Sequence, residues 1–247
     1  MTHILESQIV TASYCSELYK LKGDYTELSY IQKTIATSIK YIYESTNNLE
    51  NFSKLDKIVG ASIFKALTED SVKFNSFTDY ERRTFTAYCS NMIYQFFKVY
   101  PPSEWILVLR EPIYHEYYNK TAFVFCTDII LRKRNDSRLF FHAVDFIKDV
   151  SLTPLTDLYK HKRNLVSKVL WRAFNKFKLS YFVFSFRDFN YTNNMNLPPI
   201  ESKEIIVDKE IKLGAHYQHL LNADNIPKRL ICLDRKCPKR KECMKDE

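Results

Sequence analysis

Two stretches decide the fold: Phe123-Val-Phe-Cys-Thr-Asp-Ile-Ile-Leu131 and Phe140-Phe-His-Ala-Val-Asp-Phe-Ile147. Both are rich in aromatic and β-branched residues at strand length. Each carries one acid, Asp128 or Asp145, inside an otherwise apolar run. A carboxylate in that setting is costly unless something binds it. Upstream, Trp105 to Arg110 reads as a third strand, ended by Glu111. The expected centre is therefore an antiparallel meander, Trp105–Arg110, Ala122–Leu131 and Arg138–Ile147. Asn119-Lys120 and Arg134-Asn135-Asp136-Ser137 are its turns. In neighbouring strands Glu111, Asp128 and Asp145 can converge. A divalent cation held by their oxygens would answer the cost of the acids, and solvent-facing strand-end acids are the alternative.

Working outward, the N-terminal side is helical. Ile31, Ile35, Ile39 and Ile42 mark a helix over about 30–44, and a second runs from about Ser53 to Thr68. Thr78 and Glu81 form a capping-box pattern before a longer helix to about Val99, with Phe85, Cys89, Met92 and Phe96 inward. A short helix is expected over Ser13–Lys22. Downstream, Tyr181–Arg187 and Lys203–Ile211 read as strands and Gly214–Ala223 as a short helix. This order gives an α/β or α+β protein. It divides into a helical part over 1–100, an α/β core over 101–223 and a Cys-rich tail over 224–247.

The net charge of +8, from 37 basic and 29 acidic residues, has an address. No acid stands between Asp157 and Asp188, an interval with eight basic residues. Much of it reads as a helix whose apolar face is Leu165, Val166, Val169 and Leu170. Lys160, Asn164, Lys168, Arg172 and Lys176 form the opposite stripe. A solvated face normally mixes both signs, so an acid-free stripe, with Arg163 beside it, points to phosphate contact and a nucleic-acid partner ahead of the alternative, a solubilising surface.

Composition excludes several classes. The 247 residues are 45% hydrophobic and 27% charged, which argues against wholesale disorder. The three glycines, Gly23, Gly60 and Gly214, are too scattered for a Walker loop or a dinucleotide fingerprint. No segment is apolar for the roughly twenty residues a membrane helix needs, and Met1–Val10 lacks the pattern of a secretory leader. The expectation is a cytoplasmic protein without membrane contact. Abundant Lys, Asn, Ile, Tyr and Phe suggest an A/T-rich coding sequence, as in some bacteria and their phages.

Three of the six cysteines, Cys232, Cys237 and Cys243, fall within twelve residues of a lysine-rich tail, and Cys15 stands alone near the other end. Cys89 and Cys126 lie in apolar patterns and read as small buried hydrophobes. Four thiolates suit a [4Fe–4S] cluster or tetrahedral zinc, with disulfides ranked last because no leader supports them.

Glu111-Pro112-Ile113, Thr127-Asp128-Ile129-Ile130 and Ala143-Val144-Asp145-Phe146 together resemble the core of the PD-(D/E)XK nucleases over roughly residues 104–187. The nearest branch is that of the RecB-type and AddB-type exonucleases and the iron–sulfur nuclease of CRISPR spacer acquisition. The resemblance implies a central mixed sheet flanked by helices. It also implies Mg²⁺ or Mn²⁺ on Asp128 and Asp145, help from Glu111, and a basic helix along DNA. The arrangement of Cys15 with Cys232, Cys237 and Cys243, and Pro238 after the middle late cysteine, resembles the iron–sulfur staple of the AddB-type enzymes. A protein partner in a recombination, replication or phage complex would follow.

The departures are specific. The pattern places a lysine two residues after the second acid, but Ile147 stands there and Lys148 follows. Side chains alternate along a strand, so Lys148 points away from Asp145 unless a bulge or the strand end returns it to the site. The upstream His has no clear match, His115 and His142 being nearest the sheet, and no Gln occurs between Gln95 and Gln218. Three readings stand: a metal-dependent DNA nuclease of weak or lost activity, an inactive nuclease fold serving as a nucleic-acid-binding or assembly subunit, and a zinc-stapled regulatory protein in which the basic helix matters and the acids are incidental.

Overall fold

A computed structural model describes residues 2–9, 28–69, 71–118, 120–147, 156–174, 176–186 and 200–201. Two mixed sheets are flanked by helices. The elements are β1 (Thr2–Leu5), α1 (Tyr30–Thr46), α2 (Leu55–Thr68), α3 (Ser71–Asn75), α4 (Asp79–Phe97), β2 (Trp105–Arg110), β3 (Ile113–Tyr118), β4 (Thr121–Cys126), β5 (Ile129–Lys133), β6 (Phe140–Ile147), α5 (Thr156–Ala173), β7 (Lys178–Ser185) and β8 (Ile200–Glu201). The five-stranded sheet has the order β2-β5-β6-β7-β8, and the three-stranded sheet β1-β4-β3.

The meander is present, with a correction. Ala122–Leu131 is not one strand. It breaks at Thr127-Asp128 into β4, which belongs to the small sheet, and β5, which pairs antiparallel with β2 and β6. The polar pair at the break lets the chain change sheets. The strand β3, unforeseen in the sequence, pairs antiparallel with β4, and Lys120, just ahead of β4, adopts φ 64°. Segment 1–100 is not purely helical either, because β1 lies parallel beside β4. After β6, a crossover through α5 returns the chain to β7, parallel to β6.

Helices cover both faces of the large sheet. Ile35, Ile39 and Ile42 of α1, Val59 and Ile63 of α2, and Met92 and Phe96 of α4 pack on one side against Ile129, Leu131, Val144, Phe146 and Phe184. Val166 and Leu170 of α5 pack on the other against Ile130, Ala143, Tyr181 and Val183. Along β6, Val144 and Phe146 thus face α1 while Ala143 faces α5, the period-2 alternation of a strand buried on both sides. The capping box at α4 is as expected: the Thr78 hydroxyl accepts from Glu81 N at 3.3 Å and Glu81 Oε2 accepts from Thr78 N at 2.7 Å.

The exposed edge of β2 is closed by a side chain. Asn47, just past α1, donates from Nδ2 to Leu107 O (2.8 Å) and accepts from Leu107 N (2.6 Å). It imitates a strand partner where the β2–β5 register shifts between Leu107 and Leu109. Arg134 ties the same corner by donating to the carbonyls of Thr46, Asn47 and Pro102. Among the described residues no helix is long and apolar enough to cross a membrane.

A candidate acid and lysine site at the strand ends

The break at Thr127-Asp128 puts Asp128 at the mouth of β5, beside Asp145 of β6. The two acids lock onto each other's backbone. Asp145 Oδ1 accepts from Asp128 N at 3.2 Å, and Asp128 Oδ2 accepts from Phe146 N at 2.8 Å. Glu111 joins them through the β2–β5 pairing, its N–H donating to Asp128 O at 2.9 Å. Glu111 adopts φ 48°, an unfavourable conformation for a residue with a Cβ, ahead of Pro112. The convergence read from the sequence for Glu111, Asp128 and Asp145 is therefore present as geometry. Asp128, however, lies between strands rather than within one.

Two buried lysines, unforeseen in the sequence, complete the cluster from opposite faces of the sheet. Lys40 of α1 bridges Glu111 Oε1 (2.7 Å) and Asp128 Oδ1 (2.5 Å). Lys162 of α5 bridges Asp145 Oδ2 (2.5 Å) and Glu6 Oε1 (2.7 Å). Glu6 directly follows β1, and its other oxygen accepts from Cys126 N at 3.2 Å. The Tyr181 hydroxyl of β7 donates to Asp145 Oδ2 at 2.8 Å and contacts Thr127 Oγ1 at 3.0 Å. Both lysines sit on apolar faces, which is the signal the sequence offered. Lys40 lies four residues after Ala36 and three before Tyr43, and Lys162 lies midway between Leu158 and Val166, all buried.

Electrostatics divide the site into a dry and a wet half. The Asp145 and Lys162 side chains are each 2% exposed, against 25% for Asp128 and 47% for Glu111. Burial pushes the Asp145 carboxyl up, against the pull of Lys162. Burial alone would lower both lysines, but their carboxylate partners outweigh it and hold Lys40 above, and Lys162 well above, the usual value. Burial likewise would raise Glu111, yet Lys40 and then Arg110 hold it below its ordinary range.

Hard carboxylate oxygens on adjacent strand ends suit a hard cation. Among the described residues, no three or more His, Cys, Asp or Glu side chains form a ready metal cage. The ammonium groups of Lys40 and Lys162 now supply the positive charge there. A cation on Asp128 would have to displace Lys40 from Oδ1.

The β6–β7 register is regular through Asp145↔Val183, Phe146↔Phe184 and Ile147↔Ser185, without a bulge. Lys148 lies outside the described residues, as do Cys15, Cys232, Cys237 and Cys243 and the elements expected over 13–22, 203–211 and 214–223. On the basic helix, Lys168, Arg172 and Lys176 are exposed, as is Lys160, whereas Arg163 is half-buried. Of the two histidines nearest the sheet, His142 points into an aromatic cage, and His115 lies on β3 with its ring 6.4 Å from that of Tyr117.

No family model matches the chain, and no curated protein matches it.

Proposed function

We propose that the protein is a divergent iron–sulfur PD-(D/E)XK nuclease-like protein that hydrolyses DNA phosphodiester bonds with Mg²⁺ or Mn²⁺. The observation that carries the reading is the contact of Asp128 with Asp145 at adjacent strand ends, with the Lys162 ammonium on Asp145. The strand lacks the lysine of the resembled pattern, and Lys162 brings a cationic group to the same carboxylate from a helix.

Asp128 and Asp145 would hold the cation and Glu111 would assist. When bound, the cation polarises the phosphate and lowers the pKa of an attacking water. The chain's own groups do the rest. Lys162 keeps a positive charge beside Asp145 in a water-poor setting, where it acts most strongly. Tyr181 fixes the Asp145 carboxylate in position. Lys160, Lys168, Arg172 and Lys176 contact phosphates without reading sequence, with Arg163 beside them. The [4Fe–4S] cluster on Cys15, Cys232, Cys237 and Cys243 rests on the cysteine pattern. Visible absorbance that bleaches on reduction supports it, and colourless protein with one zinc assigns the staple to zinc.

The test is Mg²⁺- or Mn²⁺-dependent degradation of end-labelled single- and double-stranded DNA. Cleavage lost in both Asp128→Ala and Asp145→Ala supports the reading. Absence of cleavage with intact DNA binding moves the protein to the second reading, an inactive fold that binds nucleic acid or serves an assembly. One observation favours that second reading: every oxygen of Asp128 and Asp145 already accepts from a lysine, a hydroxyl or a backbone N–H.

A further inference from the structure

The small sheet ends on β3, and among the described residues no strand pairs with its outer edge. Both ends of the large sheet, by contrast, are protected. The edge of β2 is closed by Asn47, and the other end of the large sheet is the two-residue β8. Between β3 and α5 runs a cavity of about 510 Å³. One wall is formed by five consecutive residues, 113–117, and the other by Leu165, Lys168, Val169 and Arg172.

Consecutive residues of a strand point to opposite faces, so a cavity touching all five follows the strand's edge rather than either face. An edge offers a row of unpaired N–H and C=O groups at strand spacing. The occupant that matches it is an extended backbone. Its side chains on the α5 side would meet two aliphatic groups, Leu165 and Val169, and two exposed cations, Lys168 and Arg172. Glu116, also on that side, is engaged by His161, whose Nε2 lies 2.5 Å from Glu116 Oε2. The other side chains would lie beside Ile113 and Tyr117, which are 61% and 63% exposed.

We infer that the outer edge of β3 is a docking site for an extended, acidic and apolar peptide segment of a partner protein, which adds a strand to the small sheet. A nucleic acid fits the two cations but gains nothing from the backbone row. The Tyr117 and His115 rings lie on the sheet face away from α5, where bases could not stack while phosphates sat in the groove. The inference does not depend on whether the acid cluster cleaves phosphodiesters, but it makes the peptide and DNA competitors for Lys168 and Arg172.

The probe is an acetylated, amidated peptide of alternating valine and glutamate, with a valine and lysine counterpart. Anisotropy reads binding to the full chain, and amide hydrogen exchange reads its location. The acidic peptide should bind at least about tenfold tighter than the basic one and slow exchange at residues 113–117. Lys168→Glu with Arg172→Glu should reverse that preference; both residues are exposed, and circular dichroism checks that the variant is folded. Several results would overturn the inference: no binding of the acidic peptide, binding that leaves residues 113–117 unprotected, or protection there by a thymidine oligonucleotide instead. Strong protection in the free protein of those amides that do not pair with β4 would also overturn it, by showing the edge already occupied by the chain itself or a second copy.

Discussion

Replacing Lys162 with Met removes one charge from a site that cannot readily reach water. Asp145 and Lys162 are both 2% exposed, and the Nζ–Oδ2 distance is 2.5 Å. After the change, Asp145 keeps two neutral donors, Tyr181 Oη and Asp128 N, and loses its cation. Breaking a buried ion pair in this way costs about 3–5 kcal/mol, because the remaining charge is desolvated and uncompensated. Protonation of Asp145 limits the loss. Burial already pushes that carboxyl up, and losing the lysine pushes it further, so the cost should shrink as pH falls below neutral. Removing both charges in Asp145→Asn with Lys162→Met leaves no buried ion of the pair, and should recover about 2–4 kcal/mol of the single-mutant loss. Urea denaturation at pH 7, followed by circular dichroism, measures the cycle. A Lys162→Met cost below about 1 kcal/mol, or additivity of the two changes, would refute the reasoning. Mn²⁺ should stabilise Lys162→Met more than the parent, since a cation on Asp145 replaces the missing charge.

The remaining expectations test other parts of the molecule. His142 is held neutral by burial, its pKa lowered to about 3, with its ring 4.4 Å from Trp105 and 4.5 Å from Phe182. The unfolded chain takes up that proton below about pH 6.5, so the stability His142 brings is complete above that pH and is lost as pH falls toward 3. Between pH 7 and 5 the parent should lose about 2 kcal/mol more than His142→Phe, and equal losses in urea titrations would contradict this. Asn47→Ala leaves the Leu107 N–H and C=O without their side-chain partner, for a loss of about 1–3 kcal/mol in the same assay. Lys168→Glu, Arg172→Glu and Lys176→Glu together should lower the salt slope of single-stranded DNA binding by about 2, at about 0.7 per phosphate contact. An unchanged slope removes the stripe from the interface.

Much of the fold was legible where one periodicity ran uninterrupted. The apolar face of α1, the capping box of α4, the β2-β5-β6 meander and the apolar stripe of α5 all follow from spacing. The run from Ala122 to Leu131 misled because it is apolar throughout except Thr127-Asp128. Nothing in a period-2 pattern says that such a pair marks a change of sheet. The strand β3 escaped notice because Pro112 opens it and His115 and Glu116 interrupt its aromatics. The acids announced themselves by standing in apolar strands. Their lysine partners did not, since a lysine on a helix ordinarily reads as solvated surface. Lys162 belongs by charge to the basic interval, yet its register with Leu158 and Val166 places it on the inward face. Glu6 reaches the site because β1 pairs with β4, a long-range parallel pairing that no local pattern encodes.

The charge balance of the cluster bears on what it is for. Glu6, Glu111, Asp128 and Asp145 meet two ammonium groups, those of Lys40 and Lys162. Arg110 touches Glu111 as well, at 3.5 Å, but its closer partner is Glu44, at 2.9 Å. Two negative charges are thus left over at the ends of β2, β5 and β6. An ion-pair cluster kept for stability alone gains nothing from that excess, because each unmatched buried charge adds desolvation cost and repulsion. The excess is shared: Glu111 and Asp128 outnumber Lys40 by one charge on the wet side, and Glu6 and Asp145 outnumber Lys162 by one on the other. The wet half, Glu111 and Asp128 around Lys40, is the half that a divalent cation can reach from water. That unmatched charge at an open rim, rather than the presence of acids alone, is what the proposed metal-dependent reading draws from the charge balance.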